Sequence, residues 1–186
     1  MKKFFALSFF LAFSAALFAQ VEVTKFLGIP VDGTKSEMIS KLKDKGFVDV
    51  GAEGLLTGEF NGEKVYVSIV TNRGKVCRIG IADISTRNEA EIKIRFNNLC
   101  CQFEDNPKYI SPQDYKLSED EDISYNMMVN NKRYNAMFCQ KSESGVDDAS
   151  SVSNRLVWFM INHDVLGYRI MMFYDNEFNK ANGEDL

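Results

Sequence analysis

The sequence predicts an α+β fold: an antiparallel sheet of about six strands with helices packed on one of its faces. Three observations carry this expectation. Two segments place apolar residues at helical spacing, Met38, Ile39 and Leu42 in one and Ile92, Phe96, Leu99 and Phe103 in the other. Strand-like runs follow each segment, and turn signals such as Asn61-Gly62 and Asn72-Arg73-Gly74 separate them. The order helix plus three strands therefore occurs twice, over about 26–86 and 87–175, as a likeness of pattern rather than of residues.

Residues 1–19 precede this pattern and read as a secretory signal peptide. Lys2 and Lys3 lead an apolar run from Phe4 to Phe18, and the small residue Ala19 stands before Gln20. Ser14 with Ala16 offers a second small-x-small cut, and no cysteine follows either cut to take a lipid anchor. A spanning helix would need about 20 apolar residues and a charged far flank. The expectation is an exported chain, periplasmic or extracellular after cleavage, with 20–186 as a single domain. Loss of Lys2 and Lys3 leaves 20 basic against 26 acidic side chains, a net charge of -6. That balance makes nucleic acid a poor partner. No other apolar run is long enough to cross a bilayer, so no transmembrane segment is expected in the mature chain.

The first helix begins after the turn residues Gly28, Pro30, Asp32 and Gly33. Thr34 can cap it, and Glu37 three residues later completes a capping box. Gly46 supplies the left-handed stop. Leu55 to Phe60, Lys64 to Thr71 and Val76 to Ile84 then read as a three-stranded meander. In the second of these Val65, Val67 and Ile69 share one face; in the third Cys77, Ile79 and Ile81 do. Thr86 and Asn88 open the second helix, of about 16 residues, which Asn106-Pro107 ends. From Tyr109 to Asn131 the pattern fits either a short helix or a strand. Strands return at Arg133 to Gln140, Arg155 to Asn162 and Tyr168 to Tyr174. The polar stretch KSESGVDDASSVS between the first two is long enough for a surface loop, and His163 to Gly167 suits a tight hairpin.

Catalytic signatures are sparse. His163 is the only histidine, which rules out a His-based zinc site, and neither a GxSxG elbow nor a phosphate-binding loop occurs. No cofactor, metal or catalytic residue is assigned. The ending DNEFNKANGEDL lacks the sixth-position glycine and twelfth-position glutamate of a calcium loop counted from Asp175. Cys77, Cys100, Cys101 and Cys139 allow one bridge, Cys139 with Cys100 or Cys101, and reduced buried thiols are the alternative. In Arg155 to Asn162 both alternating sets are apolar. Either this strand is covered on both sides, or it carries an exposed surface that meets a partner. Val157, Phe159, Ile161, Met171 and Phe173 are the expected members of such a surface.

The stretches FLGIPVDGTKSEMISKLKDKGF, GEFNGEKVYV, KRYNA and YDNEFNKANGEDL resemble small exported proteins of Bacteroides-type gut bacteria, a group with no assigned activity. That resemblance implies a compartment and a lineage. The turn Asp32-Gly33-Thr34 before a short helix and an antiparallel meander is also similar to beta-lactamase-inhibitor-protein-like (BLIP-like) tandem domains, although a second helix is not evident before Leu55. That likeness implies binding to another protein. The function expected is thus an exported, non-catalytic protein-binding or inhibitor-like module. The alternatives are an envelope hydrolase with paired carboxylates, or a structural or stress-related envelope protein.

Overall fold

The computed structural model describes residues 22–51, 54–143, 145, 152–181 and 183. The expected signal peptide and most of the polar stretch after Gln140 lie outside the described residues. The chain is mixed α+β, and its main sheet is antiparallel in every pairing.

A two-stranded hairpin opens the described chain, β1 (Lys25–Phe26) and β2 (Ile29–Pro30). Leu27 and Gly28 turn it with φ of 52° and 79°. Helix α1 (Lys35–Asp44) follows, and its capping box is formed: Thr34 Oγ1 accepts from Glu37 N, and Glu37 Oε2 accepts from Thr34 N. Helix α2 (Glu89–Asp105) carries the same device with Asn88 and Glu91. Each box satisfies two amides that the helix itself cannot pair. Between the helices lie β3 (Val48–Asp49), β4 (Leu55–Phe60), β5 (Glu63–Asn72) and β6 (Lys75–Asp83). After α2 come β7 (Tyr109–Ile110), a short helix α3 (Ile123–Met128), β8 (Asn135–Gln140), β9 (Arg155–Asp164) and β10 (Gly167–Asn176). A 3-10 turn, Glu177–Asn179, ends the regular structure.

The main sheet has eight strands in the order β3-β4-β5-β6-β10-β9-β8-β7, which corrects the expected six. The two additions are the edge strands β3 and β7. Each is two residues long, too short to show any alternation, and short edges also limit pairing with foreign chains. Each helix-led set thus contributes four strands rather than three. The sets enter the sheet from opposite edges and meet at the β6–β10 seam. The ambiguous stretch from Tyr109 to Asn131 contains both of the structures it suggested, β7 and α3.

One side of the sheet is the core. Across the strands Leu56, Val67, Ile81, Met172, Phe159 and Ala136 stand in register, and all six are buried. Met38 and Leu42 of α1, Ile92, Phe96, Leu99 and Phe103 of α2, and Phe26 of β1 belong to the same buried cluster. Phe96 meets Phe159 edge-on at 5.0 Å between ring centres, and Phe103 stacks on Phe138 at 4.5 Å. Such pairs add about 0.5–1.5 kcal/mol each beyond the burial of their area. The end of β10 pins the start of the described chain: Thr24 Oγ1 donates to Asp175 O, and Asn176 Nδ2 donates to Val31 O at 2.7 Å.

Candidate functional site

The side of the sheet opposite the core carries its own pattern. One row across the register is Leu55, Ser68, Gly80, Phe173, Trp158 and Met137; the next is Thr57, Tyr66, Ala82, Met171, Met160 and Asn135. Large apolar groups thus fill the β8–β9–β10 half, and small or polar ones fill the β5–β6 half. Trp158 and Phe173 stack at 4.3 Å. Neither is fully buried, and Met137 and Tyr66 are exposed. A patch of this kind on the water side of an antiparallel sheet is unusual, since that side ordinarily turns polar.

The expected surface residues divide between the two sides. Val157, Phe159 and Ile161 are fully buried, so they are core and cannot meet a partner; this corrects their assignment. Met171 and Phe173 lie on the opposite side, half-buried, beside Met160 and Trp158. The cause is register. The β9–β10 turn pairs Asp164 with Gly167, so each odd-numbered residue of β9 faces an even-numbered residue of β10. Parity within one strand therefore does not transfer to the next.

A buried acid anchors the third row, in which Arg78 and Asp175 stand opposite each other. The Asp175 side chain has 0% of its surface exposed. Arg78 Nε donates to Asp175 Oδ1 at 2.5 Å, and Arg78 Nη2 donates to Oδ2 at 2.9 Å. Trp158 Nε1 donates to Oδ2 at 2.9 Å, and Lys180 Nζ lies 2.8 Å from the same oxygen. Burial pushes the Asp175 carboxyl up, but the hydrogen bonds from Arg78, Lys180 and Trp158 outweigh it and hold the group below the ordinary aspartate value. The Arg78 guanidinium also lies over both rings, 5.4 Å from Trp158 and 4.9 Å from Phe173. Asp175 therefore fixes the indole and the guanidinium together. Sequence reasoning passed over this cluster because Asp175 read as the first position of a failed calcium loop. An isolated acid inside the apolar run of β10 is the signal that marks it.

A cleft of about 760 Å³ opens on the core side. Its floor is Met172 and Tyr174 of β10, and its walls include Phe60, Leu99, Gln102 and Phe103. Glu143 on its rim pairs with Lys25 at 2.6 Å, and the hydrogen bond from Lys25 pulls its carboxyl down. The carboxyl that burial pushes up, against Arg95 and Arg87, is Asp83, and it does not line the cleft.

The thiols are all free. Phe138 faces α2, so alternation along β8 turns Cys139 to the other side of the sheet, while Cys100 is buried on α2. The sheet stands between them, which corrects the bridge from Cys139 to Cys100 or Cys101. Burial pushes the Cys100 thiol up to about 12. His163 stacks on Tyr168 at 4.4 Å. No group of three or more metal-binding side chains occurs among the described residues, and no described helix is long and apolar enough to cross a membrane. Comparison of the chain with family models, curated proteins and solved structures finds no match.

Proposed function

We propose that the chain is an exported, non-catalytic protein-binding or inhibitor-like module, and that it binds through the sheet side carrying Trp158, Phe173, Met160, Met171 and Met137. In this reading the helices gather on the core side and leave the other side free for a partner. The observation that carries it is the half-buried apolar patch held in place by the buried Asp175. Tryptophan, methionine and arginine are residues that interface centres favour. The strands β4 to β8 at about 4.8 Å spacing span roughly 24 Å, and ten-residue strands run about 33 Å. That area, roughly 800 Å², is what one partner contributes to a standard interface. Ser68, Gly80 and Ala82 form a shallow strip beside Phe173 and Met171, suited to an apolar ridge on the partner. The resemblance to BLIP-like domains is in keeping with this reading, as the resemblance to exported proteins is with an envelope or extracellular location.

Trp158 is the only tryptophan, so its emission reports on this surface alone. Cross-linked capture from the native envelope is expected to recover a partner with the wild-type chain and to lose it with Met137→Asp and Met160→Lys. Ile94→Asp, at an exposed α2 position, is expected to retain it. The recovered partner, added back in pure form, is expected to shift Trp158 emission. Equal capture by all the variants, or an unmoved emission spectrum, overturns the assignment of the surface.

A further inference from the structure

The core-side cleft has a charge arrangement that its own fold does not use. Four cationic side chains line it: Lys25, Lys108, Lys141 and Arg155. Lys25 is committed to Glu143 at 2.6 Å, and Arg155 donates to Gln140 O and lies 3.9 Å from Glu22. Glu59 also borders the cleft, but alternation along β4 sends its side chain to the far side of the sheet, because Gly58 packs on Phe47 and Leu56 is core. Lys108 and Lys141 remain, with no hydrogen-bonded or ion-paired carboxylate among the described residues. They are neighbours across the chain, since Lys141 N donates to Lys108 O at 2.8 Å. Like charges at facing positions repel. The acid that attracts Lys108, Glu143, is already held by Lys25.

Part of the remaining lining is apolar, among polar residues such as Asn61, Gln102 and Asn106. Phe60, Leu99, Phe103 and Met172 present carbon to it. Gln140 secures the wall: its amide accepts from Lys25 N and donates to Lys25 O and to the Tyr109 hydroxyl. Asn61 Nδ2 reaches Gln102 Oε1 at 2.8 Å across the opposite wall. A volume of about 760 Å³ lies within the ordinary range of small-molecule pockets, which is about 300–1,000 Å³.

We infer that this cleft binds an amphipathic acid, an apolar tail or ring body bearing one anionic head, with the body against Leu99, Phe103 and Met172 and the head at Lys108 and Lys141. The anion supplies what the two ammonium groups lack, and the tail covers the half-buried Phe60 ring while resting on the closed surface of Leu99, Phe103 and Met172. This site is separate from the protein-binding surface, which lies across the sheet.

Calorimetric titration of the purified chain with laurate and dodecyltrimethylammonium below their micellar concentrations, and with dodecanol below its solubility limit, tests this with one tail and three heads. Laurate is expected to bind at least about tenfold tighter than the other two. Lys108→Glu with Lys141→Glu, both changes at the rim, is expected to erase or invert that order. Gln102→Trp, a change at an exposed position, is expected to fill the cleft and abolish laurate binding, with an unaltered circular dichroism spectrum as the control for folding. Equal affinity for the three heads, absence of laurate binding, or an unchanged head preference after the charge reversal each overturns the inference. In the wild-type chain, whose only tryptophan is Trp158, emission should stay constant as laurate is added, which keeps this result distinct from any engagement of the opposite surface.

Discussion

Replacing Asp175 with asparagine tests whether the buried acid holds the surface together. Asparagine keeps the shape and one acceptor oxygen but removes the charge, so Arg78 loses its counter-ion and Lys180 keeps only Glu177. Breaking a fully buried ion pair typically costs about 3–5 kcal/mol, because the partner is stranded without water. Here the partners are only partly enclosed: the Arg78 side chain is 31% exposed and that of Lys180 30%. Both can hydrate once released, and that solvation discounts the cost to about 2–3 kcal/mol. Urea unfolding followed by Trp158 emission and by far-ultraviolet dichroism measures it, with unchanged slope as the sign that only stability moved. The pH dependence supplies the sharper check. The folded carboxyl titrates below its ordinary value of 3.8, so its contribution is complete above that value. It is lost as pH falls through the depressed folded value. The gap between wild type and variant should therefore be constant from neutral pH down to the ordinary carboxylate range and close below it. A gap under about 0.5 kcal/mol at neutral pH, or one that persists into strong acid, would refute the argument.

Two further outcomes follow from packing and thiol placement. Gly167→Ala places a methyl group 2.9 Å from the Arg87 carbonyl oxygen at a φ of +124°, and Arg87 and Tyr168 exchange backbone hydrogen bonds there. Backbone cannot step aside as a side-chain tip would. The expected loss is about 1–3 kcal/mol by urea unfolding, and a neutral result would mean that the hairpin is not seated on Arg87. Brief alkylation of the native chain should label Cys101, which is exposed, well before Cys77 and Cys100, which are buried. Intact mass without reductant should show four thiols, and a mass two hydrogens lower would contradict the placement of Cys139 across the sheet from α2.

How far the chain can be read without its structure depends on the length of each signal. Helices α1 and α2 were legible because caps, stripe and stop residues agree within one segment: Thr34 with Glu37 and Met38 with Leu42 in the first, Asn88 and the Ile92-to-Phe103 spacing in the second. The long strands were legible through alternation and turns. Strands β3 and β7 were not, since two residues carry no period. α3 was hidden because its six residues expose Tyr125 and Met128 and bury Ile123 alone, which leaves no stripe. The site failed differently. The apolar residues of the β9–β10 hairpin were visible as such, yet their side of the sheet depended on a pairing register that only the turn decides. Arg78 and Asp175 are 97 positions apart, and nothing local links them.

The two proposed sites share strand β10, which makes their independence a physical question. Met172 and Tyr174 floor the cleft, while Met171, Phe173 and Asp175 face the other way. A ligand pressing on one set could reach the other only by shifting the strand along or out of the sheet. β10 is paired along all ten of its residues with β9 and over Met171 to Asp175 with β6, so any such shift breaks ladder bonds on both flanks at once. Its end is also tied to Thr24 and Val31, outside the sheet. Energetic coupling needs an element with two arrangements that both ligands bias, and a central strand held on both flanks and at its end offers one. Laurate in the cleft should accordingly leave partner affinity at the tryptophan surface unchanged. A partner affinity that changes severalfold with laurate would show that β10 has a second register or position that the static ladder does not reveal.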